Sequence, residues 1–373
     1  MKESKEKFNR KEEHFSFLGL TLEQTRLLYS LQYRLVSSDI VLESTSSIRQ
    51  KKGEWLLQWK ETMEESLKSF AAREFDGKTP SDNFVGSEAI GEGSSYRPLS
   101  ILQDSQGIIK LIRKLKLESQ NLNTQFYLIL LETTLFVPYT PLDLEDKNKY
   151  KKLKMNEKVV RDELIKIAAM LEIDPSFIDK YKSTYKSSLR SISGFWTKVL
   201  AGGIAGAIVI GITGGLAAPF VAGLAAPAGL AGAAAISAGL AALGGGAIAA
   251  GGFGMAGGIA VIVGGGTILG ATSGTVAGAL LSSSSDFTLQ QAAKLEVVMK
   301  EIILFAQKDV KYAQKVLKEQ QRFIEAQKLR LIELERNEKG NAEQIKILKK
   351  SLEYLKKVYN QNSDLIEGAI SNG

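Results

Sequence analysis

Residues 199–220 read VLAGGIAGAIVIGITGGLAAPF, and the run they open continues without a single charge as far as Ser285. Between Lys198 and Asp286 lie 87 such residues, of which 24 are glycine and 24 alanine. The chain's 48 basic and 41 acidic residues all fall in the other 286, which are therefore 31% charged. Two chemically different materials are joined in one chain of 373 residues. The uncharged part decides how the rest is read.

A membrane-spanning helix needs about 20 mostly apolar residues, so this segment has length for two to four crossings. Val199–Ala218 is the first candidate and stops before Pro219; Pro227 punctuates the chain again. Gly244–Gly246 and Gly264–Gly266 divide the remainder into pieces near Ala228–Leu243, Ala247–Val263 and Thr267–Leu281. These are short for full spans, so re-entrant or tilted hairpins fit as well as four crossings. Glycine inside a helix in water costs roughly 1 kcal/mol relative to alanine. Within a bilayer, small residues instead let helix backbones approach closely. Gly202/Gly206, Gly211/Gly215 and Gly270/Gly274/Gly278 each lie four apart on one helical face, and Gly214 adds to the same small-residue surface. Only 27 of the 87 residues are Leu, Ile, Val, Phe or Met. The segment is apolar without being strongly lipophilic, which suits a hairpin stored in a helical shell and released later. Ile210 and Ile262 are its expected membrane-buried positions. A permanent anchor and a buried core are the other readings.

The flanks are helical. From Phe15 to Phe75 apolar residues recur at helical spacing through Leu28, Leu35, Trp55, Trp59 and Met63, and Thr21 with Glu23 and Gln24 marks a helix start. Gly77, Pro80, Gly86, Gly91, Gly93 and Pro98 predict a long loop over 76–98. A second helical block runs from Leu99 to Phe136 and stops at Pro138; a third covers Asn156 to Ile173. Asp174-Pro175 then opens a helix towards Trp196. Lys186, Arg190, Trp196 and Lys198 precede the first candidate span, where basic and aromatic residues mark a membrane interface and attract anionic headgroups.

Beyond Phe287, Ile303, Val310, Leu317, Ile324 and Leu331 are seven apart, with Met299, Ala306, Ala313 and Leu334 on the alternate seam. This is the coiled-coil period, with Gln320 and Gln327 as polar interruptions. After Gly340-Asn341 the spacing resumes through Ile345, Leu348, Leu352, Leu355 and Tyr359, which allows an antiparallel fold-back. The heptads serve either as an oligomerisation stalk joining copies of the chain or as packing against its own helices. The expected domains are an N-terminal helical domain (1–198), the membrane-inserting segment (199–285) and C-terminal coiled-coil helices (286–373).

Several functions are removed by composition. There is no cysteine, hence no disulfide framework and no thiolate chemistry, and His14 is the one histidine. Gly252-Phe-Gly254-Met-Ala-Gly257 matches a dinucleotide-binding pattern, but it lacks a preceding strand and the later acidic residue. No cofactor or metal site and no catalytic residue is expected. Met1–Glu13 alternates basic and acidic residues, so a secretory signal is not expected. The expected course is synthesis in the cytosol and transfer to the inner (plasma) membrane. A net charge of +7 favours anionic partners; no recognition motif supports nucleic acid.

Ile210-Gly211-Ile212-Thr213-Gly214-Gly215-Leu216-Ala217-Ala218-Pro219 resembles the hydrophobic module of the transmembrane-and-coiled-coil-domain hydrolase family, and Asp162 to Tyr185 is similar to the small helical region before it. That family continues into an α/β-hydrolase domain with a Gly-x-Ser-x-Gly elbow, and this chain has none. The resemblance implies the membrane module and not the hydrolase. Charged helices around a Gly/Ala hairpin also resemble, by analogy, colicin-type and apolipoprotein-L-type channel formers. The expectation is an all-α helical bundle with a Gly/Ala-rich hydrophobic hairpin and a C-terminal coiled coil. Its expected function is non-enzymatic: bilayer permeabilisation as a bacterial toxin or phage-defence suicide effector, with an unidentified protein as a possible trigger. The alternative is a membrane-anchored coiled-coil scaffold.

Overall fold

The computed structural model describes residues 18–76, 99–118, 123–140, 142, 149–194, 261–262, 265, 285–336 and 342–371. The loop expected over 76–98, His14 and almost all of the uncharged segment lie outside them. Among the described residues the fold is all-α, with one short strand pair.

Strand β1 (Gly19–Leu20) leads into α1 (Leu22–Val41). The Thr21 hydroxyl accepts from the Gln24 backbone while the Gln24 side chain accepts from the Thr21 N–H, a reciprocal cap that satisfies two otherwise orphaned donors. Helix α2 (Ser46–Asp76) packs along α1. Trp55 and Trp59 stack with ring centroids 6.1 Å apart, and Tyr29, Phe136 and Tyr139 surround them. Fully burying one such large apolar side chain contributes about 1.5–3 kcal/mol.

The block expected from Leu99 to Phe136 is two helices, α3 (Ser105–Glu118) and α4 (Asn123–Thr134). Helix α5 (Glu157–Met170) starts at Asn156, whose side chain accepts from the N–H groups of Lys158 and Val159. Helix α6 (Ser176–Ser193) starts one residue later than the Asp174-Pro175 spacing suggests; Asp174 Oδ1 still accepts from the Ser176 N–H at 2.8 Å.

Asp39, near the end of α1, is 1% exposed and fully engaged. It accepts from Lys52 Nζ at 2.7 Å, from the Tyr139 hydroxyl at 2.6 Å and from the Asn156 N–H at 2.7 Å. One carboxylate thus ties α1, α2, the chain after α4 and the start of α5.

The C-terminal half departs from a continuous repeat. Helix α7 (Ser285–Val297) passes into a π-helical segment (Val298–Ala306), and α8 (Val310–Arg336) begins only after a reversal at Lys308, where φ is +55°. Ile303 therefore lies on the π segment and Val310 opens α8, so the seven-residue spacing bridges a break. Helix α9 (Ala342–Ser371) runs back along α8. Gln320, an expected polar interruption, is buried between the two and donates to Leu355 O at 3.5 Å, while Asn362 donates to the Gln320 side-chain oxygen at 3.1 Å.

Replacing Asp39 by alanine leaves the Lys52 ammonium, 2% exposed, with Glu43 alone at 3.0 Å, and the Tyr139 hydroxyl and the Asn156 N–H without their acceptor. Removing one partner of a buried ion pair costs about 3–5 kcal/mol, and with Glu43 still in place urea unfolding of Asp39→Ala should show a loss towards the lower end of that range.

Candidate functional site: the anchorage of the uncharged segment

The described structure fixes the uncharged segment at three places. The first two are its ends. Helix α6 closes at Gly194, whose φ of +68° is left-handed and whose N–H donates to Arg190 O at 3.0 Å. Gly suits this cap because an L side chain is disfavoured there. The chain returns at Ser285, the first residue of α7. Thr184 donates to Glu301 at 2.6 Å, and further towards the end of α6 Ser188 lies beside Glu296. Higher numbers on α6 thus face lower numbers on α7 and the π segment, so the two helices are antiparallel. Gly194 and Ser285 consequently open onto the same end of the bundle. Lys357 of α9 closes the group by donating to Ile192 O at 3.0 Å.

The third place is Gly265. Its φ of +78° lies in the left-handed region, and its Cα faces the backbone of α7. A methyl group there would collide with Gln291 O and stand 2.7 Å from the Leu295 amide nitrogen. Just before it, β2 (Val261–Ile262) pairs antiparallel with β1, Gly19 opposite Ile262 and Leu20 opposite Val261. The segment is thereby stapled to the N-terminal edge of α1 and to the middle of α7.

Helix α7 is in turn locked into the core by polar contacts that apolar helices rarely carry. Lys294 Nζ and Glu132 Oε2 of α4 form an ion pair at 2.6 Å, each residue 1% exposed. Such a pair is costly to desolvate, and breaking one partner is worse. Two residues on, burial pushes the Glu296 carboxyl above the usual glutamate range, partly opposed by the neighbouring Ser188 hydroxyl and by Lys300.

The residues expected to act in the membrane divide by location. Gly202, Gly206, Ile210, Gly211, Gly214, Gly215, Pro219, Pro227, Gly270, Gly274 and Gly278 lie outside the described residues, as do Trp196 and Lys198. Ile262 belongs to β2. Lys186 is exposed on α6 and Arg190 is half-buried there. Of the heptad residues, Ile303 and Ile324 are buried in the chain's own core, and Val310, Leu317 and Leu331 pack against it half-buried. Sequence reading missed Gly265, Lys294 and Glu132. The one signal for Lys294 was an isolated cation in the run from Phe287 to Met299, whose only other charged residue is Glu296.

Among the described residues no group of acidic or histidine side chains is arranged to hold a metal, and no helix is long and apolar enough to cross a membrane. No family model matches the chain, and neither a curated protein nor a solved structure is significantly similar to it.

Two outcomes follow. Gly265→Val cannot keep the close approach to α7, and the left-handed φ alone costs about 1–2 kcal/mol. Limited proteolysis should then cut the variant faster between residues 199 and 285 while far-ultraviolet circular dichroism of the bundle stays unchanged. Glu296 binds its proton more tightly folded than unfolded, so its contribution is present at low pH and lost as pH rises from the ordinary glutamate range through the raised value. Glu296→Gln should therefore raise Tm at pH 7.5, with the gain shrinking towards pH 4.

Proposed function

We propose that this is a non-enzymatic, membrane-active protein that holds a glycine-rich hairpin in a helical shell and releases it to permeabilise a bilayer. The observation that carries the reading is the 87-residue uncharged segment, joined to a 31% charged shell. Two further features support it. The segment's two ends open side by side, so the shell need not unfold for the segment to leave. Among the described residues its hold on the shell between its ends is a short strand pair at Val261–Ile262 and one glycine contact at Gly265. Release would need loss of that staple and nothing of the Asp39 hub or the α8–α9 pair.

On this reading the protein is made in the cytosol, moves to the inner membrane and binds anionic headgroups there, and copies associate through the surfaces that α8 leaves half-buried. An even number of crossings follows from roots that share one end of the bundle. A bacterial toxin or cell-suicide effector of phage defence would use such a device. The likeness of Ile210–Pro219 to the transmembrane-and-coiled-coil-domain family is consistent with a membrane role for the segment and carries no enzymatic implication. The second reading is a permanently anchored scaffold; the half-buried Val310, Leu317 and Leu331 favour it to the extent that they recruit partners.

Leakage separates the two. Gly→Leu at Gly270, Gly274 or Gly278 makes the segment more apolar, so an anchor should bind liposomes as well or better. A pore of closely packed helices should lose activity because each leucine holds the backbones apart. Dye release from anionic liposomes, measured beside co-sedimentation, is expected to show intact binding and lost leakage for these variants. Wild-type protein that binds but never releases dye would establish the scaffold.

A further inference from the structure

The end of the α8–α9 pair is an exposed, basic and partly apolar tip, and its position relative to the segment's roots is informative. Lys349 of α9 pairs with Glu335 of α8 at 2.8 Å, which fixes the two helices antiparallel at this end. Thr288 of α7 donates to Ser351 of α9 at 3.0 Å. Farther along α9 Lys357 reaches Ile192 of α6, one turn beyond Ser188, which lies beside Glu296 farther along α7, so α7 and α9 run parallel. Helix α9 begins nine residues before Ser351, whereas α7 begins three residues before Thr288. At about 1.5 Å per residue the tip overreaches the start of α7 by roughly 9 Å. The first six residues of α9, Lys346 among them, therefore project beyond the end of the bundle from which the uncharged segment departs and to which it returns. Lys350 lies level with the start of α7.

The chemistry of the tip is unusual for a solvated helix pair. On α8, Leu329 is 65% exposed and Ile332 is 47% exposed, three residues apart on one face. From Lys328 to Lys350 the sequence carries seven basic and four acidic residues, net +3 of the chain's +7. Lys346 and Lys350, four apart on α9, are both exposed. An apolar face beside lysines is the pattern of surfaces that lie in a headgroup layer. A second copy of the chain fits less well, because two such tips would bring like charges together. A nucleic acid would use the lysines and leave Leu329 and Ile332 unrewarded.

We propose that this tip is a docking surface for an anionic bilayer, with Leu329 and Ile332 entering the headgroup layer and Lys346 and Lys350 meeting lipid phosphates. Resting on the membrane reading above, it adds that the shell is oriented before release, with the roots of the segment facing the lipid. Docking precedes insertion and does not require it.

The test is co-sedimentation of the full-length protein with vesicles of mixed phosphatidylglycerol and phosphatidylcholine, against pure phosphatidylcholine, at low salt. A lysine at an anionic surface is worth about a fivefold gain in partitioning, so Lys346→Gln with Lys350→Gln should weaken binding to the mixed vesicles about 25-fold. Leu329→Asp with Ile332→Asp should weaken it more than tenfold, and both variants should unfold at the wild-type temperature because the positions are exposed. Unchanged partitioning of both variants overturns the proposal. So does a shift from dimer to monomer in Leu329→Asp/Ile332→Asp without loss of vesicle binding, or tighter binding to DNA than to vesicles through the same lysines. Binding that these variants lose, in a wild-type protein that never leaks dye, keeps the docking surface and removes permeabilisation. Leakage with unchanged binding of the variants does the reverse.

Discussion

The contact on which the rest depends is the approach of Gly265 to the backbone of α7. Backbone against backbone, with Gln291 O and the Leu295 amide at distances that exclude a Cβ, it sets where the uncharged segment meets the shell. Just before it in the chain, Ile262 pairs with Gly19 and Val261 with Leu20. Helix α7 can offer a rigid face because the Lys294–Glu132 pair and the Thr184–Glu301 hydrogen bond hold it against α4 and α6. Buried polar contacts of this kind add little net stability compared with apolar packing, but they penalise any displaced arrangement heavily. A fixed α7 is what the proposed storage and release require.

The antiparallel arrangement of α6 and α7 has a second consequence. A loop whose ends are already adjacent costs little closure entropy to leave or return, whatever its length. The shell's own cohesion lies elsewhere, in the Trp55–Trp59 cluster, the Asp39 hub and the α8–α9 pair. None of these touches Gly265. The described staple, at Gly19, Leu20, Val261, Ile262 and Gly265, thus uses different residues from those that supply the shell's cohesion.

Much of the shell was legible in the sequence because local rules decide it. Thr21 with Gln24, Asn156 and Asp174 each mark a helix start through hydrogen bonds made within a few residues, and the prolines after Phe136 mark an end because they lack an N–H donor. The heptad spacing located α8 and α9 but not the π segment or the reversal at Lys308, since apolar periodicity reports which side of a helix is dry and not its winding. Gln320 read as an interruption, whereas it is satisfied across the helix pair by Leu355 O and Asn362. The anchorage was not legible. Gly265 is one glycine among 24 in its segment, and only the distant α7 backbone distinguishes it. Lys294 and Glu132 are 162 residues apart, so neither carries a local sign of the other.

The central claim is that release at the staple precedes permeabilisation. Because the chain contains no cysteine, one introduced pair can form a single defined disulfide. Leu20 and Val261 are cross-strand partners, and such pairs have the Cα spacing a disulfide accepts. The most direct measurement is dye release from anionic liposomes by Leu20→Cys/Val261→Cys protein, oxidised and then reduced in the same cuvette. The account predicts silence while the bond is closed and leakage once it is reduced. Equal leakage in both states would contradict it, because the segment would then act without leaving the shell.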